Sequence, residues 1–471
     1  MTNKKFTSDV VIGLEIHAEL ATESKLFCGC ATHGSDEPNS RVCEVCLGMP
    51  GCKPVLDKKA VEYVLKLCLA LECDVSPELI FSRKSYFYPD MAKNYQISQY
   101  EIPLGVKGKL ILENGKEIGV TRVHMEEDPA ALIHPGGIME SKYVLVDYNR
   151  SGDPLVEVVT EPELNSPEEA RDSMKKLISI LQYLEIFDIR RCIIKADANV
   201  SIKESGYTRV EIKNITGFKE IERALKYEVE RQKKAVEEGI QLKHETRAWD
   251  SGKGITRALR KKEVEEEYGY IIDPDLTKIE ITDKWINKIK EELPELAREK
   301  AEKFVKEYGL SKTDAQVLAS DKLLAELFER VAKKVDALLA AKWLRRELIR
   351  VLNYHKKELK DVNEKYLVEL LQMIEKKEIT EKVGQKIIEE LVVKPFSPKE
   401  YVKKAGIKVI GSVKDLEKIC KEVIKENSKA VEDYKAGNVK AMQFLVGQVM
   451  RKTKGQADPG VLNKILKKLV K

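Results

Sequence analysis

Val10-Val11-Ile12-Gly13-Leu14-Glu15-Ile16-His17-Ala18-Glu19-Leu20 alternates apolar and polar residues from Leu14 onward. A period of two is that of a half-buried strand, so Leu14, Ile16, Ala18 and Leu20 are expected on a core face and Glu15, His17 and Glu19 on the other. A polar strand face is commonly no more than solvated. Two carboxylates beside an imidazole become a platform for a divalent metal, or for acid/base work, only where other strands present matching groups. Several segments do. Residues 105 to 128 read as strand, Asn114-Gly115 hairpin turn and strand, ending in His124-Met125-Glu126-Glu127-Asp128. Leu155-Val156-Glu157-Val158-Val159, Asp197-Ala198-Asn199-Val200-Ser201 and Val210-Glu211-Ile212-Lys213 repeat the alternation. Three successive carboxylates repel one another unless a cation or a lysine neutralises them, an exposed acidic turn being the plain alternative. On a regular strand Glu127 faces away from His124 and Glu126, which predicts a bulge or a strand end there.

Two close cysteine pairs follow the first strand, Cys28 with Cys30 and Cys43 with Cys46. Four thiolates on two tight turns suit a tetrahedral structural zinc ion, the alternative being unligated thiols. The other five of the nine cysteines, Cys52, Cys68, Cys73, Cys192 and Cys420, show no pairing and are expected to pack as small apolar groups. The segments Arg83 to Asp90 and Tyr95 to Tyr100 are dense in aromatics and amides, which line polar passages, stack on bases or pack on a sheet.

Helices are expected over Lys58 to Glu72, from the Ser166-Pro167-Glu168-Glu169 capping box to about Glu185, and over Phe218 to Glu238 before Gly239. From about residue 283 only helical periods remain, punctuated by Pro294 and by Pro395-Phe396-Ser397-Pro398. The expected class is therefore α+β, with a sheet-based domain over 1–292 that holds the cysteine insertion at about 27–47, a helical domain over 293–405 and a small helical tail over 406–471. Such a division suits 471 residues. With 43% hydrophobic and 34% charged residues, no run approaches a membrane span, and no apolar signal region opens the chain. An intracellular, cytoplasmic protein with no membrane partner is expected. The net charge of +5 is small against 83 basic and 78 acidic residues, so a basic surface has to be local. Lys440 to Lys471 carries eight basic residues, among them Lys440, Arg451, Lys452 and Lys454, against one acid, Asp458. That imbalance suits phosphate-backbone contact, a solvated charged face being the alternative.

Carboxylates on several strands of one sheet are what holding hard cations such as Mg²⁺ requires. Neither a P-loop nor a dinucleotide glycine fingerprint is present, and Ser251-Gly252-Lys253-Gly254 lacks the first P-loop glycine and its spacing. No serine or cysteine sits in a recognisable nucleophile motif.

Val11-Ile12-Gly13-Leu14-Glu15-Ile16-His17, the four cysteines with Cys46-Leu47-Gly48-Met49-Pro50-Gly51, Tyr86-Phe87-Tyr88-Pro89-Asp90, Tyr95-Gln96-Ile97-Ser98-Gln99, His124 to Asp128, Asp197 to Ser201 and Phe444 to Met450 run in order from end to end. In these motifs the chain resembles the GatB/GatE family, and more closely its GatB members, which belong to tRNA-dependent amidotransferases, than the longer GatE. The resemblance implies a glutamine-synthetase-like antiparallel sheet, a helical cradle and a tail that grips tRNA. It implies a carbon-nitrogen ligase. The implied reaction is phosphorylation by ATP of the side-chain carboxylate of Asp-tRNA(Asn) or Glu-tRNA(Gln), followed by displacement of the phosphate by ammonia from glutamine. By position, Glu15, His17, Glu127, Glu157 and Asp197 match the family's Mg²⁺ and catalytic residues, with Glu127 as the base that deprotonates ammonium. Lys84 and Tyr86 match its ammonia passage. Glu211, Lys213, Arg247 and Arg260 are candidates for contacting nucleotide or the tRNA 3′ end. The implied partners are a glutaminase (amidase) and a small linking protein, which complete a heterotrimer, together with tRNA(Asn) or tRNA(Gln) and the cognate non-discriminating synthetase. The chain departs from the family's usual pattern at Arg190-Arg191-Cys192-Ile193-Ile194-Lys195 and at Gly269-Tyr270-Ile271-Ile272-Asp273. A non-enzymatic zinc-containing tRNA-binding protein is the rival reading, and it leaves the aligned carboxylates unexplained.

Overall fold

The structure is a computed structural model that describes residues 9–136, 141–259, 269–406, 413–436, 438–453, 457 and 459–470. Arg260 and Lys454 lie outside the described residues. Two compact units divide the chain between Glu295 and Leu296.

The described strands of the first unit are β1 (Val10–Glu19), β2 (Asp74–Val75), β3 (Glu78–Leu79), β4 (Ser82–Ser85), β5 (Tyr95–Ser98), β6 (Gly105–Ile111), β7 (Glu117–Glu127), β8 (Ala131–Ile133), β9 (Leu145–Asp147), β10 (Pro154–Thr160), β11 (Ile194–Ile202), β12 (Val210–Thr216), β13 (Glu245–Asp250), β14 (Ile255–Ala258), β15 (Gly269–Ile272) and β16 (Ile279–Glu280). Nine of them form one sheet in the order β14-β13-β12-β11-β1-β10-β7-β6-β2, with β1 in the middle. Every pairing in it is antiparallel except β12 with β13. The exception has a simple cause: the connection from β12 to β13 is a helix, the crossover that a parallel pair requires. A smaller sheet runs β15-β4-β5, and β8 pairs with β9.

Helices α1 (Lys58–Ala70), α2 (Pro167–Tyr183) and α3 (Phe218–Glu237) cover the apolar face, α1 against β6 and β7 and α3 against β11 and β12. Ile12, Leu14, Ile16 and Ala18 are buried there with Val156, Val158, Val123, Met125, Ala196 and Ala198, as the alternation of β1 and its neighbours requires. Asp57 caps α1, accepting from the backbone N–H of Lys59 and Ala60. Ser166 caps α2 through the Glu169 N–H, but the reciprocal bond is displaced by one residue, Glu169 accepting from the N–H of Asn165. Helix α4 (Asp283–Glu291) ends the unit.

Cys68 and Cys420 are buried as expected of apolar thiols. Cys68 is nevertheless not isolated. Its thiol hydrogen-bonds with Cys73, and both lie where β6 crosses the end of α1. Gly105 makes that crossing possible, since a Cβ built on it would stand 2.6 Å from the Cys68 sulfur and 3.1 Å from the Cys73 Cβ.

The second unit contains only helices among its described residues. They run from α5 (Ala297–Tyr308) through α6 (Lys312–Ala319), α7 (Lys322–Ala332), α8 (Ala337–Lys342), α9 (Ile349–His355), α10 (Glu364–Glu375) and α11 (Glu381–Val393) to α12 (Pro398–Lys404), with a π-helical turn over Trp343–Leu348 joining α8 to α9. Then come α13 (Val413–Glu426), α14 (Ser428–Lys435), α15 (Val439–Lys452) and α16 (Pro459–Val470). The tail helices share a core of Leu416, Cys420, Val423, Met442, Leu445, Val449, Leu462, Ile465, Leu466 and Val470. Val461, at the start of α16, is exposed. No described helix is long and apolar enough to cross a membrane.

The Gly105 crossing is testable. Gly105→Ala is expected to destabilise the chain by about 1–3 kcal/mol through overpacking. In denaturant titrations the penalty should shrink in a Cys68→Ala background, because the sulfur is the atom met first.

Candidate active site and cysteine metal centre

Strand register decides which polar groups meet. His17 of β1 lies opposite Glu157 of β10 on one side and Lys195 of β11 on the other, while Glu15 lies opposite Asp197. Glu157 in turn faces His124 of β7, and Leu155 faces Glu126. All these groups therefore share the face that α1, α2 and α3 do not cover. His17 Nε2 is 3.3 Å from Glu126 Oε1 and 3.3 Å from Glu157 Oε2. His124 Nε2 also reaches Glu157 Oε2 at 3.3 Å, and Arg122 reaches Glu157 Oε1 at 3.5 Å. His17, Glu126 and Glu157 each offer one ligand atom, all within 4.8 Å of one another.

Burial works against a charge on His17, but hydrogen bonds to Glu126 and Glu157 outweigh it and hold the imidazolium well above its ordinary range. For Glu157 burial acts upward and the two histidines act downward more strongly, keeping the carboxyl well below its usual range. Burial, then the charge of Glu157, pushes Glu15 up. A proton on His17 thus offsets the carboxylates here. Two carboxylates and an imidazole fit a divalent cation, which would require that proton to leave.

Asp197 and Glu211 form a second group beside the first. Lys213 Nζ stands 2.8 Å from Asp197 Oδ2 and 2.6 Å from Glu211 Oε1. A register shift between β11 and β12 turns Asn214 into the left-handed region, φ 63°, and lets its N–H donate to Asp197 Oδ1 at 3.0 Å. Thr246 donates to Glu211 at 2.8 Å, and Asn199 to Glu15 at 3.2 Å.

Glu127 is the last residue of β7, so the expected strand end is there, but the register shift between β7 and β10 falls at Val159 and Thr160 instead. Its carboxylate points away from His17. Lys93 Nζ lies 2.6 Å from Oε2, the Ile97 N–H donates to Oε1 at 2.8 Å, and the Gln96 amide donates to the Glu127 carbonyl at 2.7 Å. The structure thus brings Glu126, rather than Glu127, to His17 and Glu157. The alternation His124, Glu126 on one face was the signal in the sequence for it. Lys84, half-buried on β4, pairs in register with Gln96, and its Nζ is 6.0 Å from the Tyr86 ring centroid. This places Lys84 and Tyr86 one strand away from Glu127.

Arg247 does not join the polar face. It sits opposite Ile212, on the side of α3, where it donates to Thr256 Oγ1 at 2.8 Å and lies 3.6 Å from buried Glu228. In the two atypical segments, Arg190 is paired with Asp188 at 2.9 Å, and Gly269–Ile272 forms β15 beside β4, with Asp273 and Asp275 each 2.8 Å from Arg83. In the tail Lys440 and Arg451 are exposed, whereas Lys452 is 2.6 Å from Glu426 and 3.6 Å from Glu422.

The four cysteines of the insertion come together. All four sulfurs lie within 4.8 Å of one another, Cys43 and Cys46 at 3.9 Å, and none is in a disulfide. A tetrahedral zinc with bonds of about 2.3 Å spaces its sulfurs about 3.8 Å apart, so the cluster has the right size. The hydrogen bond from the Cys28 thiol lowers Cys46 to about 5 and raises Cys28. One thiolate is therefore already favoured, and the donor set fits a metal. The insertion is also stitched to the segment ahead of β10. Ser151 Oγ donates to the Cys46 carbonyl at 3.0 Å, and the Arg41 N–H donates to Asn149 Oδ1 at 2.8 Å. Burial raises two acids on this rim, Asp128 to about 7 and Asp153 to about 8.

A sheet face that gathers carboxylates and an imidazole, on a chain whose second unit is helical, is the build of a catalytic chain with an appended helical module. The chain belongs to the GatB/GatE family. Residues 10–287 match the family described as the GatB/GatE catalytic domain, and residues 326–470 match the GatB domain. Similar proteins include the GatB subunit of the aspartyl/glutamyl-tRNA(Asn/Gln) amidotransferase of Thermoanaerobacter sp. (strain X514), 44% identical over 98% of each chain. Those of Carboxydothermus hydrogenoformans and Moorella thermoacetica, with the same name, are 43% and 44% identical over 98% of this chain and 98% and 99% of theirs.

The raised rim acid Asp153 gives a stability prediction. Its folded value of about 8 exceeds the ordinary 3.8, so between them the folded chain holds a proton that the unfolded chain has lost, and stability falls as pH rises through that window. Asp153→Asn should flatten the fall, gaining on the unsubstituted chain from about pH 4 to about pH 8 in thermal unfolding. Asp128, raised to about 7, contributes to the slope that remains.

Proposed function

We propose that the chain carries out the ATP-dependent amidation of aspartate or glutamate attached to tRNA, as the synthetic component of an amidotransferase, fed with ammonia by a separate glutaminase and joined to it by a small third protein. The observation that carries this reading is one sheet face collecting Glu15, His17, Glu126, Glu157 and Asp197 in a chain end to end similar to named amidotransferase subunits. The sheet is read as glutamine-synthetase-like, the cysteine cluster as a structural zinc site, and the second unit as a cradle and tail for tRNA, with Lys440 and Arg451 free to meet phosphate.

A carboxylate is a poor electrophile, so phosphorylation by ATP must precede attack by ammonia. Mg²⁺, when bound, supplies charge neutralisation for the transferring phosphoryl group. His17, Glu126 and Glu157 would hold it, with Glu15 and Asp197 beside them. Lys213, already balanced between Asp197 and Glu211, is within the same face and supplies a mobile positive charge to phosphate oxygens. Glu127 is the base: its carboxylate gives up Lys93 and takes a proton from an ammonium ion arriving past Lys84 and Tyr86. Gln96 fixes the Glu127 backbone while its side chain changes partner.

Reconstitution with a glutaminase partner, mischarged Asp-tRNA(Asn) or Glu-tRNA(Gln), ATP and ammonium chloride should yield amidated tRNA. Glu157→Gln and His17→Ala should lower product formation by about 10²-fold or more while tRNA affinity is kept. Removal of residues after about 405 should do the reverse, weakening tRNA binding and its salt dependence. Tight tRNA binding with no ATP turnover on either substrate would overturn the reading.

A further inference from the structure

Lys25 is the only lysine among the described residues that is buried, and its exposure is 0%. A buried ammonium is costly unless something anionic or strongly polar meets it. Its Nζ donates to the Tyr148 carbonyl at 3.2 Å. Its stem runs between the cysteine insertion and the segment ahead of β10. A Cβ built on Gly152, φ 88°, would lie 3.5 Å from Lys25 Cδ and 3.6 Å from the Cβ of Cys46. The backbone closes the same junction. The Lys25 N–H donates to the Cys30 carbonyl at 2.9 Å and the Leu26 N–H to the Gly152 carbonyl at 2.8 Å.

Four thiolates on one divalent ion leave two net negative charges in a partly buried module, so a loaded site needs cationic neighbours. Lys25 is the buried cation that touches both the module and the strand approach. We propose that Lys25 is a positioning residue: its ammonium is the counter-charge of the metal-loaded cysteine site and ties that site to residues 148–153, which lead into the strand bearing Glu157. The inference rests on the metal reading of the cysteines and is independent of the amidation reaction. Through it, occupancy of the cysteine site sets how firmly the start of β10 is held.

The test uses the full chain and reads zinc and backbone protection, not turnover. Zinc release to a chromogenic chelator should be about tenfold faster in Lys25→Met, the scale on which groups outside the ligand set tune metal affinity, and close to the unsubstituted rate in Lys25→Arg, which keeps the charge. Stripping zinc from the unsubstituted chain should cost amides 148–153 their hydrogen-exchange protection, a measurement that needs no variant to fold. Unchanged release in Lys25→Met would overturn the counter-charge role. Equal acceleration in both variants would mean packing rather than charge. Unchanged protection of 148–153 on stripping would overturn the tie.

Discussion

The constraint on which the first unit depends is the register of β1 against its two neighbours. Because side chains alternate, a slip of one residue would send Leu14 and Ile16 into water and Glu15 and His17 into the core. Both flanking pairings are antiparallel and unbroken from Glu15 to Ala18, and Ile12, Leu14 and Ile16 are at most 1% exposed. The apolar face therefore places the polar one. Burial of the aliphatic row under the helices fixes Glu15 opposite Asp197 and His17 opposite Glu157, without any polar contact having to choose the arrangement.

What the register brings together would be unstable without positive charge. Glu126, Glu127, Asp128 and Glu157 are all buried within a few residues of one another along β7 and β10. Each of these carboxylates, with Asp197 and Glu211, has a cation beside it, in two cases shared: His17 for Glu126 and Glu157, Lys93 for Glu127, Arg150 for Asp128, Lys213 for Asp197 and Glu211. Such partners can be exchanged. A side-chain ammonium or an imidazolium can give way to a metal or a phosphate-bound ion with little backbone movement, because the carboxylates are already held by the sheet.

The sequence was legible wherever one period dominated. Strands β1, β6, β7, β10, β11 and β12 of the large sheet, its polar face, the turn at Asn114 and Gly115 and the cysteine quartet follow from alternation, turn chemistry and spacing. Glu127 marks where that reading stops. Parity places it away from His124, and a bulge could have reversed this. The choice is made by Lys93 and the Ile97 N–H, groups about thirty residues away whose proximity no local pattern records. Arg247 fails for a related reason: its strand is short and its polar and basic residues do not alternate, so only the pairing with Ile212 shows that it faces α3 and Glu228. The contact between Cys68 and Cys73 is likewise invisible in the pattern, because it depends on Glu72 taking the left-handed region at the end of α1, where the Cys73 N–H donates to the Cys68 carbonyl.

The segments between strands do as much for the site as the strands. β7 and β10 end beside each other, and their ends are locked by a reciprocal ladder in which the Asp128 N–H donates to the Asp153 carbonyl and the Gly152 N–H to the Asp128 carbonyl, each at 2.9 Å. Ser151 and Asn149 then hold this corner to the cysteine insertion. Glu126 and Glu157 lie within four residues of that lock, one on each strand. A displacement of about 1 Å in a reacting group can cost 10²-fold in rate. A corner rigidified from outside the sheet gives a structural reason for the cysteine insertion to be built against β7 and β10. It holds their ends where the strands' own pairing is about to run out.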